Sequence, residues 1–164
     1  MPVNINRATA TQYQLVIPML PTETTLDAVD VVRLNLFSVV LPAISLNQGE
    51  STWQGMKMLF HNGGMSFDPL SVSFMVDSDF SNWHILYKWL IYVCNNFDKP
   101  SSLPADYMVD MSIKLMDNYN VEKVVIMFKN VWIQSLGELS LSVRDGESHI
   151  ECNATLYYDR YEIL

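Results

Sequence analysis

The sequence predicts a mainly β protein, an antiparallel β-sandwich or barrel of about seven strands with one flanking helix. Several segments alternate apolar and polar residues with a period of two, which is typical of half-buried strands. Only one segment has apolar residues at the helical spacings of three and four. Because strands and helices do not alternate along the chain, a parallel α/β sheet is not expected. The 164 residues suit one domain spanning 1–164.

The strands are predicted where alternation or β-branched residues dominate. The segments are 12–17, 31–41, 71–77, 107–116, 122–132, 139–143 and 150–158. Residues 124–128 are apolar on both faces, so that strand is expected to be covered on two sides. An Asp145-Gly146 pair lies between the last two segments. Since Asp-Gly between alternating runs favours a tight turn, the sequence predicts a C-terminal antiparallel hairpin.

The helix is predicted at about residues 80–97. Its apolar residues share one helical face: Trp83, Leu86, Tyr87, Leu90, Cys94 and Phe97. Ser78, Asp79 or Ser81 is expected to cap the start, and Pro100 to end the region.

Residues 43–68 follow neither period. They mix turn-forming residues with large apolar ones, and they contain Met56, Met58 and Met65 of the ten methionines. One interpretation is a long loop or extended hairpin that reaches away from the body and is ordered by a neighbour. The other is a strand at 56–61 packed in the core. Both interpretations stay open at this point.

The composition indicates a protein with partners and argues against a nucleic-acid clamp. Hydrophobic residues make up 49% of the chain and charged residues 17%, which suggests more apolar surface than one small domain can bury. The net charge of −8 is unsuited to gripping phosphates. We expect no membrane span and no signal peptide, because no apolar run is long enough. Cys94 and Cys152 are expected to be buried free thiols.

The sequence predicts no enzyme: no catalytic residues, no metal site and no cofactor. His61, His84 and His149 fall in three different elements, and no pair has the spacing of metal ligands. Gly63-Gly64 is a turn rather than a phosphate-binding loop.

The order of several short motifs resembles the tail tube proteins of contractile-tailed bacteriophages. This family is similar in fold to the inner-tube proteins of type VI secretion systems and related injection machines. The motifs are Leu41-Pro42-Ala43, the stretch from Trp53 to Met58, Phe67-Asp68-Pro69-Leu70, Tyr87-Lys88-Trp89, Gly137-Glu138-Leu139 and a tyrosine-bearing closing strand at 150–161. Residues 19–30 depart from the family pattern by forming a longer first connection.

The resemblance implies a structural virion protein, assembled in the host cytoplasm. Six copies would close into a ring, and the rings would stack into a hollow tube that passes DNA without binding it specifically. Its partners would be further copies of itself, the tail sheath protein, and the baseplate and tail-terminator proteins. Alternatives within this fold are an initiator or terminator ring at the baseplate or neck, and the inner tube of a related contractile injection system.

We hypothesise that Trp53, Met56, Met58 and Phe60 contact the next ring. A rival from a different class is a monomeric β-barrel that binds a small ligand, in which the same aromatic and methionine side chains would line a cavity.

Overall fold

The computed structural model describes residues 13–17, 20, 36–97, 103, 106–141 and 149–164. They form nine strands and one helix. In chain order these are β1 (Tyr13–Val16), β2 (Leu36–Val40), β3 (Ile44–Trp53), β4 (Met56–Phe67), β5 (Leu70–Met75), α1 (Ser81–Phe97), β6 (Val109–Met116), β7 (Glu122–Leu136), β8 (Glu151–Tyr157) and β9 (Arg160–Ile163). The predicted mainly β class with one flanking helix is confirmed.

The long strand β7 belongs to both halves of the main sheet. One half contains β1, β6 and β9, and the other contains β8, β5 and β2. The strand order is β1-β6-β7-β8-β5-β2, with β9 also pairing with β7, and every pairing is antiparallel. The first part of β7 lies between β6 and β9, and its last part, from Trp132 onward, pairs with β8. Asn130 lies where these pairings change and has a positive φ of 55°. β1 and β2 lie at the two ends of this order, so the strands among the described residues do not close into a barrel.

The two halves of the sheet share one hydrophobic core with the helix. Strict alternation places every second residue of β5 and β8 inward. The most deeply buried large side chains include Trp89 of α1, Phe74 of β5 and Phe128 of β7. The Trp89 indole Nε1 donates a hydrogen bond to the Tyr107 carbonyl oxygen at 3.2 Å. The helical spacing in the sequence therefore predicted the helix, but the face it buries is rotated from the predicted one. Ile85 and Trp89 are buried, whereas Tyr87 and Cys94, which were predicted on the apolar face, are exposed.

The start of α1 is fixed by Asn82 rather than by the predicted capping residues. Its side chain is completely buried. Its Nδ2 donates to the Met75 carbonyl oxygen at 2.7 Å, and its Oδ1 accepts from the backbone N–H groups of Asp77 and Trp83 at 3.2 and 2.8 Å. One amide thus connects the end of β5, the following turn and the first turn of the helix.

The predicted C-terminal hairpin is wrong in its first strand. β7 continues to Leu136 and itself pairs with β8, so residues 139–141, predicted as strand, lie outside any strand. The predicted segment 150–158 ends as a strand at Tyr157, and the chain turns into β9 at Arg160. The Asp145-Gly146 turn, residue 12, residues 31–35 and Pro100 fall outside the described residues. So do residues 21–30 of the departing connection.

The two cysteines are both free thiols, but only one is buried as predicted. Cys152 is buried in β8, whereas Cys94 is exposed on α1. Burial raises the pKa of the Cys152 thiol above its usual value. Within the residues that the structure describes, no helix is long and apolar enough to span a membrane.

Candidate assembly surface

The segment 43–68 forms an extended hairpin of β3 and β4. The two strands pair from Ile44 opposite Phe67 to Trp53 opposite Met56. Gln54 and Gly55 form the connecting turn, with positive φ angles of 51° and 79°, as a two-residue hairpin turn of type I′ requires. Ten residues of strand reach about 30 Å. The interpretation as an extended hairpin is confirmed. Residues 56–61 do form a strand, but their side chains are exposed rather than packed in the core.

The outer half of this hairpin has an apolar face, which we call the tip patch and define as Trp53, Met56, Met58 and Phe60. Residues directly opposite each other in an antiparallel pair share a face. Trp53 lies opposite Met56, and Met58 and Phe60 lie opposite the small residues Ser51 and Gly49. Trp53 is 66% exposed and Met56 is 68% exposed. The pairing therefore brings together the four residues predicted from the sequence as contact residues.

Gly49 lets the Phe60 ring lie across the hairpin backbone. A Cβ atom at position 49 would come within 2.6 Å of two carbons of that ring. An aromatic side chain packed over a cross-strand glycine covers the backbone that the glycine leaves bare. Phe60 thus contacts its own hairpin, and its remaining exposed surface extends the tip patch.

The opposite face of the outer half is mostly polar. Glu50 and Lys57 form a 2.6 Å ion pair between their Oε1 and Nζ atoms, and Gln48 lies opposite His61. Leu59, opposite Glu50, is the exposed apolar residue of this face. The outer half is therefore amphipathic, with one face suited to contact and the other to water.

The base of the hairpin is anchored in the body by an aromatic cluster. The Phe67 ring centroid lies 6.0 Å from that of Tyr158 and 5.5 Å from that of Tyr161, and Phe128 packs against both tyrosines. The Tyr158 hydroxyl donates a hydrogen bond to the Asp68 carbonyl oxygen at 2.8 Å. Burial, followed by the nearby Tyr161 and Asp68, raises the pKa of Tyr158 to about 12. The hydroxyl therefore keeps its proton at neutral pH and remains a donor.

Two of the short motifs of the resemblance, Leu41-Pro42-Ala43 and Gly137-Glu138-Leu139, occupy different parts of the fold. Leu41-Pro42-Ala43 leads into the hairpin: Pro42 is buried, and the Ala43 carbonyl accepts a hydrogen bond from the Asp68 N–H at 3.1 Å. Gly137-Glu138-Leu139 follows β7, where the Gly137 N–H donates to the Asn153 carbonyl at 2.6 Å. A Cβ at position 137 would collide with the Asn153 side chain. The glycine is needed for this close approach.

A polar cluster beside Asn130 was not predicted from the sequence. Asp110 accepts hydrogen bonds from Lys129 Nζ at 2.7 Å and from the Asn130 N–H at 3.1 Å, and Asn130 Nδ2 donates to Asp159 at 2.5 Å. The Lys129 hydrogen bond is the main cause of the lowered pKa of Asp110. These residues are distant in sequence, and no local pattern reveals that they meet. Among the described residues, no group of His, Cys, Asp and Glu side chains could hold a metal ion.

The fold is similar to that of a solved tube component of a contractile injection system. The tube-terminating cap of the anti-feeding prophage superposes with a TM-score of 0.66, covering 99% of this chain and 93% of that chain, at 16% identity. The sequence profile of the family described as phage tail tube protein matches residues 4–164. The chain belongs to this family of phage tail components and is a structural protein of the virion tail. The resemblance predicted from the sequence is confirmed.

Two curated relatives come from Enterobacteria phage T4. The tail tube terminator protein is 26% identical over 99 residues, which are 59% of this chain and 56% of that protein. The baseplate tail-tube junction protein gp54 is 28% identical over 118 residues, which are 71% of this chain and 36% of that protein. The matched region thus spans about half of the terminator and about a third of gp54.

Proposed function

We propose that this chain is a ring-forming subunit of a phage tail tube and that the tip patch docks on the adjacent ring of the stack. The exposed, one-sided tip patch at the end of a long hairpin carries this proposal. From the exposed fractions of its four side chains, it presents about 500 Å² of apolar surface, comparable to the largest and often functional patch of a monomer.

Stacking of rings would also explain how a patch smaller than the roughly 800 Å² that each partner buries in a stable interface can join two rings. A ring presents one hairpin per subunit, so the contacts between two rings form together and the joint is multivalent. Six subunits per ring, as the resemblance implies, would multiply the area sixfold. A heterologous contact that closes by rotation gives such rings.

The charge of the chain fits a conduit for DNA. The chain has 18 acidic residues against 10 Lys and Arg residues. An acidic surface repels phosphates and favours passage without specific binding. The partners that we propose are further copies of the chain, the tail sheath protein, and the baseplate and terminator proteins at the two ends of the tube.

Replacing Trp53 tests the role of the tip patch. Trp53→Glu places a charge on a 66% exposed residue that lies outside the core, so the subunit should fold and form rings. Stacking should be lost, because burying an unpaired carboxylate in an apolar contact is costly. Electron microscopy and sedimentation velocity measure the stacking. Thr52→Glu, on the polar face one residue away, is the matched control and should stack normally. Stacking by Trp53→Glu at the wild-type level would contradict the role of the tip patch.

A second candidate is a specialised ring at an end of the tube. The similarity to the T4 tail tube terminator and to the tail-tube junction protein favours this role. The purified protein separates the candidates under the electron microscope. Long tubes indicate the main tube subunit, and single or paired rings that attach to the ends of preformed tail tubes indicate an end ring. A protein that stays monomeric at high concentration contradicts both.

A further inference from the structure

The sequence contains a single Asn-Gly pair, Asn62-Gly63, which lies in strand β4 of the hairpin. We infer that Asn62 is a site of spontaneous covalent modification. The backbone nitrogen of Gly63 closes a succinimide ring on the Asn62 side chain with His61 as general base, ammonia leaves, and water opens the ring to aspartate or isoaspartate. The chemistry takes place within one subunit and does not depend on the proposed tube assembly.

The pairing of the two hairpin strands is irregular at this Asn-Gly pair. The register passes from Leu46 opposite Met65 to Gln48 opposite His61, so three residues of β4 face one residue of β3. The extra residues of such a bulge are left out of the register, and the ladder is locally disrupted. A regular antiparallel ladder holds the strand backbone extended between its hydrogen bonds. The backbone at 62–64 is therefore freer to bend toward its own side chains than the rest of the hairpin.

His61 contacts the N–H group that must lose its proton. The Gly63 backbone N–H donates a hydrogen bond to His61 Nδ1 at 3.3 Å. A peptide nitrogen attacks a carbonyl carbon only after its proton has been removed, and an imidazole nitrogen that accepts this N–H is in place to remove it. Both residues are exposed, so the imidazole can pass protons to and from water. The structure thus supplies a base that an unstructured Asn-Gly peptide must take from solvent.

The two glycines remove the usual steric barrier to ring closure. Gly63 and Gly64 have positive φ angles of 63° and 89°, a region that glycine enters without the cost borne by other residues. Apart from the two chain neighbours of Gly63, no atom of the described residues lies within 4 Å of where its Cβ would be. Asn62 itself is exposed. Water can therefore reach the site, as the hydrolysis of the ring requires.

The reaction balances with water as the only co-reactant. The Gly63 nitrogen forms a bond to the Asn62 Cγ atom and gives its proton to His61 Nδ1. That proton passes to the departing amide nitrogen, the Cγ–Nδ2 bond breaks, and ammonia leaves. Water then adds to a ring carbonyl and breaks its bond to the Gly63 nitrogen. Cleavage at Cγ gives aspartate, and cleavage at the backbone carbonyl gives isoaspartate, in which the main chain runs through the side-chain carbons. Either product adds a carboxylate to the hairpin.

Asn47 provides a comparison within the same irregularity. It is exposed and faces residues 62–64 from strand β3, and its Nδ2 atom lies 3.2 Å from the position that a Cβ at Gly64 would take. Its successor in the chain is Gln48, whose side chain obstructs the approach of the backbone nitrogen. Asn47 therefore shares the surroundings of Asn62 but lacks a following glycine, and its amide should persist.

Peptide mapping by mass spectrometry, with an assay of released ammonia, tests the inference on the purified chain incubated at neutral pH. We expect Asn62 to convert with release of equimolar ammonia, while Asn47 keeps its amide. His61→Gln retains a polar side chain that accepts hydrogen bonds but takes up no proton, and it should convert about tenfold more slowly. His84→Gln, at an exposed position on α1, is the matched control and should convert as the wild type does. Circular dichroism checks that both variants fold.

The outcomes decide the inference separately from the proposed function. It is overturned if the Asn62 amide persists in the folded chain, or if the wild type and His61→Gln convert at the same rate. The chain unfolded in guanidinium chloride gives the rate that the local sequence alone sets. The folded wild type should exceed this rate severalfold, and a folded rate at or below it would also overturn the inference. Whether the wild type forms rings decides only the proposed function.

Discussion

The buried Asn82 amide offers the most direct test of how the helix is joined to the sheet. Asn82→Ala removes three hydrogen bonds, to the Met75 carbonyl and the Asp77 and Trp83 N–H groups. Each contributes about 1 kcal/mol, so the free energy of unfolding should fall by about 3 kcal/mol. The Met75 carbonyl and the Asp77 N–H are partly buried and lose their side-chain partner. The cost of leaving them unpaired adds to the loss of stability. For a domain of this size the midpoint of thermal unfolding should fall by about 10 °C.

Urea denaturation followed by tryptophan fluorescence measures this loss, because Trp83 and Trp89 lie on the same helix. Asn95→Ala is the matched control. Asn95 is exposed near the other end of α1, and its replacement should change the free energy of unfolding by less than about 0.5 kcal/mol. A loss below about 1 kcal/mol for Asn82→Ala would refute the reasoning, since it would mean that water or a rearranged backbone replaces the lost bonds.

Two further predictions concern the close approach at Gly137 and the titration of Tyr158. Gly137→Ala should lower the free energy of unfolding by about 2 kcal/mol in the same assay, because the added Cβ would lie 2.9 Å from the Asn153 carbonyl and collide with its side chain; an unchanged midpoint would show that Asn153 moves at no cost. The pKa of Tyr158 is about 12 in the folded protein against an ordinary value of 10.0, so its stabilising contribution is complete below pH 10 and is lost as the pH rises from 10 to 12. Urea denaturation between pH 9 and 12 should show a shallower decline for Tyr158→Phe than for the wild type, and identical slopes would contradict this linkage.

Local periodicity predicted most of the fold, and the exceptions have physical causes. The spacing of Trp83, Leu86 and Leu90 predicted α1 at nearly its observed bounds, because a helix buries one face whatever lies elsewhere in the chain. The C-terminal hairpin failed because strand ends are decided by pairing. β7 runs four residues beyond its predicted end, to Leu136, and takes the place beside β8 that residues 139–143 were expected to fill. Asn82 was missed because a polar residue near a helix start looks the same whether buried or exposed.

The candidate site was predictable in its residues but not in its geometry. Large apolar side chains in a turn-rich segment, together with the family resemblance, singled out Trp53, Met56, Met58 and Phe60. Their common face depends on the register, which the Gln54-Gly55 turn sets and which no strong turn signal in the sequence announces. Their role in contact between rings stays a prediction.

The anchoring of the hairpin gives the subunit a defined path for mechanical load. A pull on the tip runs along β4 to Phe67, whose ring packs between Tyr158 and Tyr161 at the turn from β8 to β9. Both tyrosines contact Phe128 of β7, the strand that the two halves of the sheet share. Tension on the hairpin is therefore shared between the chain connections to β2 and β5 and the aromatic contacts with β7. Under load on the hairpin, the aromatic cluster and the connections to both flanking strands would have to give way together.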